Sequence, residues 1–517
     1  MAEHDAIVVG SGINGLACAA LLAKAGWNVC VLERNDWFGG AIKTAEITAP
    51  GYHHDVFSAW HPLWVGGAAH AQLGDDLARH GLEYLNTDFP TATAFPDGSS
   101  AFLLRTAEGN AAELGTEWGP MLDGFFPNAD LAFGILGTEL WSRHGAGLAL
   151  KAVRRLGRGG ARDFAGELLV SARDWLESTF ASERAHGVLA PWVLHTGLGP
   201  DAAGSGYMAQ VIAVAVQEGG MPIPRGGGAK LADALVSYIR EQGGTCETRV
   251  HVERVSSGGV RTADGRELTA SRAVVCNVTP TQLYGQLLDG YAARAEDFRY
   301  GRAEMQIHYA LSEAPQWSGD ERLGETAIVH LTSGLDGVSR AVNEAERGLL
   351  PVGATVVVGQ PLTMDPSRAP AGTGLLWIQL QELPWRVKGD AAGEIDTGDG
   401  TWTPELRERY ADRIQARIAE HIPNFESAIV ARTCLSPADL QAANVNLVHG
   451  DPYGGSLALD QNFLWRGDHT TPVRNVWHVG ASTHPGPGLG GGSGVLVAQQ
   501  LLEPPLTRRL VRRLRRS

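Results

Sequence analysis

Cysteine is scarce and scattered in this chain. Cys18, Cys30, Cys246, Cys276 and Cys434 form no C-x-x-C pair and no His-Cys cluster at metal-ligand spacing. That leaves no zinc-ribbon or dithiol motif and predicts reduced, buried thiols in a cytoplasmic protein. Long apolar runs are missing as well, none reaching the ~18 residues of a membrane span. The first strand begins at about Ala6, so the expectation is that no signal or transit peptide precedes it. Neither H-E-x-x-H nor G-x-S-x-G occurs, and metal hydrolysis and acyl transfer are poor readings without them. Positive charge is in deficit: 43 Lys and Arg stand against 57 Asp and Glu, a formal charge of −14. A chain of that sign is a poor general partner for nucleic acid.

Glycine, by contrast, is abundant, with 66 in 517 residues. Such a chain is long enough for two or three domains with sizeable cores. Its first glycines carry the strongest signal. Ala6 to Val9 is a short apolar run that ends in Gly10, Gly12 and Gly15 at G-x-G-x-x-G spacing, and a helical segment with Leu16, Ala19, Ala20 and Ala23 follows. Side chains at those glycines would keep the backbone away from a pyrophosphate lying on the helix N-terminus. Val29 to Leu32 is a second strand closed by Glu33, whose carboxylate can accept both hydroxyls of an adenosine ribose. The pair Gly39-Gly40 just beyond favours FAD over NAD, because a longer dinucleotide needs a second close backbone approach.

Short β-like runs continue to about Trp64. His53-His54-Asp55 invites a metal reading, yet adjacent histidines on a strand face opposite ways and supply one ligand per side. No metal site is predicted. Gly66 to Gly206 reads as helix-rich. Within it Leu131, Phe133, Leu136, Leu140 and Trp141 precede Leu148, Leu150, Val153 and Leu156 among Lys151, Arg154, Arg155, Arg158 and Arg162. This stretch reads as a basic amphipathic patch or as an ordinary core helix with a cationic end. Gly226 to Gly228 open a helix over Ala229 to Glu241, Thr245 to Val255 alternates as one strand, Asp264-Gly265 marks a hairpin and Ala273 to Asn277 is a buried strand. Ile328 to Leu331, Thr355 to Val358 and Leu375 to Leu380 read as strands of a separate sheet, and Leu406 to Ile422 as a helix.

The opening pattern returns near the C-terminus. NVWHVG is a strand ending in Gly480, and ASTHPGPGLGGGSG strips side chains from a loop leading into a helix. Two such loops suit a cofactor with a nucleotide end and a ring end. Beyond them the last ten residues hold six arginines and no acid, which leaves −20 on the rest of the chain. With Leu506, Leu510 and Leu514 at i, i+4, i+8, this tail reads either as an in-plane helix on an anionic membrane or as a solvated tail.

Several stretches together carry a resemblance that spans residues 5 to about 500. They are VVGSGINGLACAALLAKAGWNVCVLERNDWFGG, GYHHD, MPIPRGGGAKLADAL followed by VHVERV, AVVCNVTP, MDPSRAPAG and NVWHVGASTHPGPGLGGGSG. The chain resembles the phytoene desaturase-like FAD oxidoreductases: the bacterial carotenoid desaturases and their pyridine nucleotide-disulfide oxidoreductase domain-containing relatives, within the flavin amine oxidase superfamily. The resemblance implies an α/β fold, a glutathione-reductase-type, Rossmann-like FAD domain with an inserted α+β substrate domain. The FAD domain would comprise 1–65, 216–290 and 456–505; the helix-rich, membrane-facing region 66–215 and the sheet-and-helix region 291–455 would hold substrate; 506–517 would be the basic tail.

Residue by residue, the resemblance places Gly10, Gly12, Ile13, Asn14 and Gly15 at the pyrophosphate, with Gly39, Gly40 and Ala41 meeting it again. Ala41 stands where relatives often carry arginine. Glu33 and Arg34 would lie at the adenosine ribose, Val252 at the adenine, and Gly480, Ala481, Gly488, Leu489 and Gly490 at the far pyrophosphate and the flavin pyrimidine edge. Ser493 stands nearest where some amine oxidases use a cysteine to tether flavin and cannot form a thioether, so FAD is expected without a covalent link.

The implied reaction moves a hydride from an apolar, carotenoid- or lipid-like substrate to flavin N5 and passes electrons to oxygen or a quinone. An apolar chain asks for an apolar tunnel, whereas an amine asks for an aromatic cage and a carboxylate; Trp60, His61 and Trp64 fit either. A flavin-binding protein without turnover and a redox-neutral isomerase stay open. His61 is the candidate for proton transfer, because an imidazole titrates close to working pH, with His484 of similar standing. The other reading of His61 is a histidine hydrogen-bonded in a packed turn.

Overall fold

A parallel strand covered by helices on both sides must be apolar throughout, and the short runs around the first glycines meet that demand. Strand β1 (His4–Val9) leads into helix α1 (Ile13–Lys24) and on to β2 (Val29–Leu32). The hairpin β3 (Thr91–Ala94) and β4 (Ser100–Leu103) precedes a helical stretch that includes α2 (Arg143–Glu167), α3 (Glu183–Leu194) and α4 (Ser205–Gly219). Then come α5 (Ala229–Glu241), β5 (Thr245–Glu247), β6 (Val252–Ser256), β7 (Gly259–Thr262) and β8 (Glu267–Asn277). Strands β9 (Ala303–Leu311), β10 (Ile328–Leu331), β11 (Val356–Gly359) and β12 (Gly374–Leu383), helix α6 (Pro404–Ala419) and β13 (Ile429–Leu435) follow. Strand β14 (Val476–Val479) and helix α7 (Gly492–Leu502) come last. The computed structural model describes residues 3–503, so the basic tail lies outside the described residues.

In the first sheet β1 pairs in parallel with β2 and β8, β5 extends the sheet beyond β2, and β14 extends it beyond β8. The register sets Val9 beside Leu32 and Cys276, and Asn277 beside Val479. Gly10, Glu33, Asn277 and Gly480 therefore leave the sheet along one edge, the carboxyl edge where open α/β sheets bind ligands. Helix α1 is buried almost all round, between α5 and α7.

The second sheet runs β13-β9-β12-β11-β10-β3-β4, antiparallel except where β10 meets β3. Alternation gives it two unlike faces. Met305, Ile307, Leu376, Ile378 and Leu380 pack on Leu406, Tyr410 and Ile414 of α6. The alternate positions Glu304, Gln306, His308, Trp377 and Gln381 are buried on the other side.

Three local expectations change. The run Thr245 to Val255 is not one strand: Arg249 has a positive φ of 60°. Arg249 and Val250 donate their N–H groups to the carbonyls of Asn35 and Glu33 (2.9 and 2.8 Å), so the chain turns past Glu33 before β6 starts. The stretch Ala129 to Leu150 divides into a helix Ala129–Leu136 and the start of α2, with Trp141 between them, 70% exposed and donating its indole N–H to the Leu464 carbonyl at 2.6 Å. Only Gly145 of α2 is buried, so α2 is not a core helix. Finally, the helix-rich region supplies the hairpin β3–β4 to the second sheet, a pairing that TATAFPDGSSAFLL announces through alternating residues around Asp97-Gly98.

Candidate functional site

The loop after β1 closes so tightly that only glycine fits. Gly10 has φ +90°, and a Cβ there would lie 2.7 Å from the Asn277 carbonyl oxygen; one on Gly15 would lie 2.6 Å from the Gly10 carbonyl oxygen. A Cβ on Gly12 would overlap the Asn277 side-chain amide. Gly39 bridges to Gly12, and a Cβ on Gly40 would stand 3.0 Å from the Gly12 Cα. Both glycine motifs thus pack against each other at the start of α1. Helix α1 begins there at Ile13 and Asn14 with neither a side-chain cap nor an acid in its first turn, so its N–H groups and dipole favour an anion.

Glu33 sits beside these loops, buried. One carboxylate oxygen accepts the Ser11 N–H (2.9 Å) and hydroxyl (2.7 Å), and the other accepts the Asn35 N–H (2.8 Å). A carboxylate has about four acceptor positions, which leaves room for a hydroxyl from a ligand. Arg34 is exposed. Val252 is buried two residues after Val250, whose N–H bonds the Glu33 carbonyl. Ala41 accepts the Ser58 N–H at 3.2 Å and packs with Val56 and Phe57.

The second uncapped helix comes to the same place. Helix α7 starts after Gly491, at φ +68°, again with no side-chain cap and no first-turn acid. A Cβ on Gly491 would meet Ala17 at 3.0 Å, and one on Gly494 would overlap the Asn14 carbonyl, so the first turns of α7 and α1 touch. Ser493 is buried; its hydroxyl accepts the Gly480 N–H (3.0 Å) and pairs with Thr483 (2.8 Å), which fixes the turn after β14. Ser493 is therefore a structural staple. Arg466, also buried, donates to the carbonyls of Ala481 and Tyr453 and joins this turn to the loop 451–456. Burial pushes its guanidinium down to about 10. Gly488 and Gly490 lie against Leu63, and Leu489 packs on the core of the first sheet.

The third glycine loop, Gly226 to Gly228 before α5, is closed by the protein itself. The Gly226 N–H donates to Asp365 (2.7 Å), the Gly228 N–H to Asp55 (2.8 Å) and the Ala229 N–H to the Thr44 hydroxyl (3.1 Å). Asp55 in turn faces Arg368 at 3.1 Å, with both side chains almost fully buried.

His61 belongs to this closed end. Its Nδ1 pairs with the Tyr84 hydroxyl at 3.0 Å, and a Cβ on Gly228 would lie 3.3 Å from its unpartnered Nε2. Burial pushes the imidazole down to about 3, so the ground for choosing it, titration close to working pH, does not hold in the fold. Burial likewise lowers His484 to about 4. His53 is half-exposed, ahead of the two-residue strand His54–Asp55, while His54 is buried with its Nε2 on Thr48 (2.7 Å). Trp60 lies edge-on to Trp377 with ring centroids 5.2 Å apart. Sequence reasoning placed Asn277 on a strand and missed its side chain, which stands among Gly10, Gly12, Gly15 and Gly480.

Closely packed glycine loops at two uncapped helix starts, with a carboxylate at one side, fit the diphosphate and ribose of FAD. The clefts of about 530 and 260 Å³ lie elsewhere, the larger beside Arg409, Arg413 and Arg417 and the smaller beside Gln360 and Pro370. Neither touches the glycine loops.

The family model of the NAD(P)-binding Rossmann-like domain matches residues 8–77. The pyridine nucleotide-disulfide oxidoreductase domain-containing protein 2 of Mus musculus is 26% identical, over 95% of this chain and 92% of its own length. A lycopene-forming phytoene desaturase of a Paracoccus species is also 26% identical, over 97% of this chain and 98% of its own. Wild-type putrescine oxidase, solved with putrescine bound, shares the fold at a TM-score of 0.59 and 17% identity, covering 96% of this chain and 97% of its own. Over nearly its whole length the chain is thus distantly similar to phytoene desaturase and to pyridine nucleotide-disulfide oxidoreductase domain-containing protein 2, on a fold shared with putrescine oxidase.

Proposed function

We propose that this chain is an FAD-dependent oxidoreductase of the desaturase or dehydrogenase type, acting on a lipid-like substrate. The observation that carries the reading is the contact between two uncapped helix N-termini, α1 and α7, beside glycine loops in which a Cβ would clash. Gly10, Gly12, Ile13, Asn14, Gly15, Gly39 and Gly40 would hold the pyrophosphate, Glu33 the ribose and Val252 the adenine. Gly480, Ala481 and the loop from Gly488 to Gly490 would hold the ring end. When bound, flavin supplies a hydride acceptor at N5 and passes electrons to oxygen or a quinone. The chain contributes orientation and exclusion of water: the second sheet, α3, α4 and the segment around Trp60 enclose a large buried cluster.

The lipid-like substrate is supported by the named activity of the desaturase relatives and by α2. Ahead of its break at Gly157 this helix exposes Leu150 and Val153 among Lys151, Arg154 and Arg155, beside exposed Phe133 and Trp141. Such a face suits an anionic bilayer, although Asp130 pairs with Lys151 and Arg155 and reduces its charge. The six-arginine tail would add to the attraction. Among the described residues no helix is long and apolar enough to cross a membrane.

The test is purification followed by acid precipitation. The expected protein is yellow, with about one FAD per chain appearing in the supernatant, since Ser493 offers no tether. Flavin retained by the precipitate would contradict non-covalent binding, and a colourless chain that FAD cannot reconstitute would contradict the reading itself.

A further inference from the structure

The inner face of the second sheet holds buried polar atoms that have no partner. Gln306 Oε1, His308 Nδ1, His330 Nδ1 and Gln381 Oε1 lie on this face, and Trp60 Nε1 and Trp192 Nε1 lie over it; all six are buried and unpaired. Native interiors rarely leave such groups unmatched. These six share one face; on the reverse, among Met305, Ile307, Leu376 and Ile378, two further buried atoms, Ser100 Oγ and Tyr309 Oη, are unpaired.

The surroundings tie this layer to the ring end of the candidate flavin site. His308 Nε2 lies 3.3 Å from the Val56 carbonyl, and the Trp377 indole donates to the Phe57 carbonyl at 2.8 Å, so the layer borders the segment around Trp60. On another side His330 Nε2 meets His195 Nε2 at 3.1 Å, just beyond the end of α3. Tyr453 closes a third side: its hydroxyl donates to Glu304 at 2.8 Å and accepts from Gln381 at 2.9 Å. Through Arg466 the Tyr453 loop is joined to Ala481 in the turn after β14.

We infer that the substrate presents an uncharged hydroxyl group to this layer and is amphipathic rather than a pure hydrocarbon. The inference rests on the reading of the glycine loops as a flavin site and names the substrate class for it. Amide oxygens accept, indole nitrogens donate and neutral imidazoles do either; a hydroxyl can answer both kinds of partner, whereas a hydrocarbon would leave every one unpaired. An ammonium fits less well. Glu304, the acid of this layer, is already engaged by Tyr453 and by the Gln379 amide at 2.8 Å.

The experiment titrates the FAD-loaded full chain, without oxygen, with geranylgeraniol and with the hydrocarbon of the same skeleton, each in the same detergent, and follows the flavin absorbance. The alcohol is expected to perturb the flavin at a concentration at least about tenfold lower than the hydrocarbon. Gln306→Leu and Gln381→Leu should each shrink that preference to about threefold or less while FAD content is retained. Equal or tighter binding of the hydrocarbon, no response to either probe, or an undiminished preference in both variants would overturn the inference. So would an advantage of about tenfold for geranylgeranylamine over the alcohol. A chain that takes up no FAD overturns the reading of the glycine loops first, which separates the two failures.

Discussion

Two kinds of glycine-rich helix start occupy this molecule, and they differ in what satisfies them. At α5 the N–H groups of Gly226, Gly228 and Ala229 are taken by Asp365, Asp55 and Thr44. At α1 and α7, among the described residues, no such carboxylate or hydroxyl takes the first N–H groups, and a Cβ on the glycines would clash. Glycine before a helix is therefore ambiguous in itself; whether the fold brings its own carboxylates to the helix end decides between a structural joint and a ligand site. In this chain the joint fastens the first domain to the MDPSRAPAG segment, and the open pair forms the candidate flavin site.

Breaking the contact between the two open ends should have the largest effect. Gly494→Val drives a side chain into the Asn14 carbonyl; the expected outcome is loss of the folded, FAD-containing protein, checked by gel filtration and absorbance. Breaking the joint should cost stability but spare the candidate flavin site. Arg368→Met leaves Asp55 buried without its cation, a change that costs about 3–5 kcal/mol in comparable buried pairs. Denaturant titration should show that loss, while the remaining folded protein binds FAD as before.

A smaller effect comes from pH. Glu304 and Glu382 are fully buried, and desolvation raises each from an ordinary 4.5 to about 7. Because the folded state holds these protons more tightly than the unfolded chain, their contribution is complete below about 4.5 and is lost as pH rises through about 7. Glu304→Gln should remove about half of that slope in urea midpoints measured across the same window. The smallest effect is expected for Glu33→Gln. The amide cannot accept from Ser11 and Asn35 on both of its arms, so FAD affinity, measured by fluorescence titration, should fall on the order of tenfold.

Much of the candidate site was legible because its logic is local. Strand, G-x-G-x-x-G, helix and acid fall within 30 residues, and the register of the first sheet only confirms what their order implies. What remained hidden depends on distant partners. Asp55, Asp365 and Thr44 lie 173, 139 and 185 residues from the N–H groups they accept, so nothing beside Gly226 distinguishes that loop from the open ones. Asn277 looks like the end of an apolar strand until Gly10, Gly12 and Gly480 are folded around it. The surroundings of His61 were hidden for the same reason: its burial against Tyr84, which lowers the imidazole, is not revealed by its neighbours in sequence. The polar inner face of the second sheet was also out of reach, because alternation marks two faces but not which one borders a ligand.

The distinction between open and closed helix starts is tested most directly by one pair of charge changes, read as FAD affinity by fluorescence titration of the apoprotein alongside thermal unfolding. Asn14→Asp puts a negative charge in the first turn of α1, where a helix alone would welcome it and a pyrophosphate would not. Asp365→Asn removes the charge that accepts the Gly226 N–H at the start of α5. The expected result is FAD binding weakened at least about tenfold by Asn14→Asp at unchanged or higher Tm, and lower Tm at unchanged FAD affinity for Asp365→Asn. If Asn14→Asp binds FAD like the unaltered chain while Asp365→Asn loses it, the cofactor lies at α5 and the account is wrong.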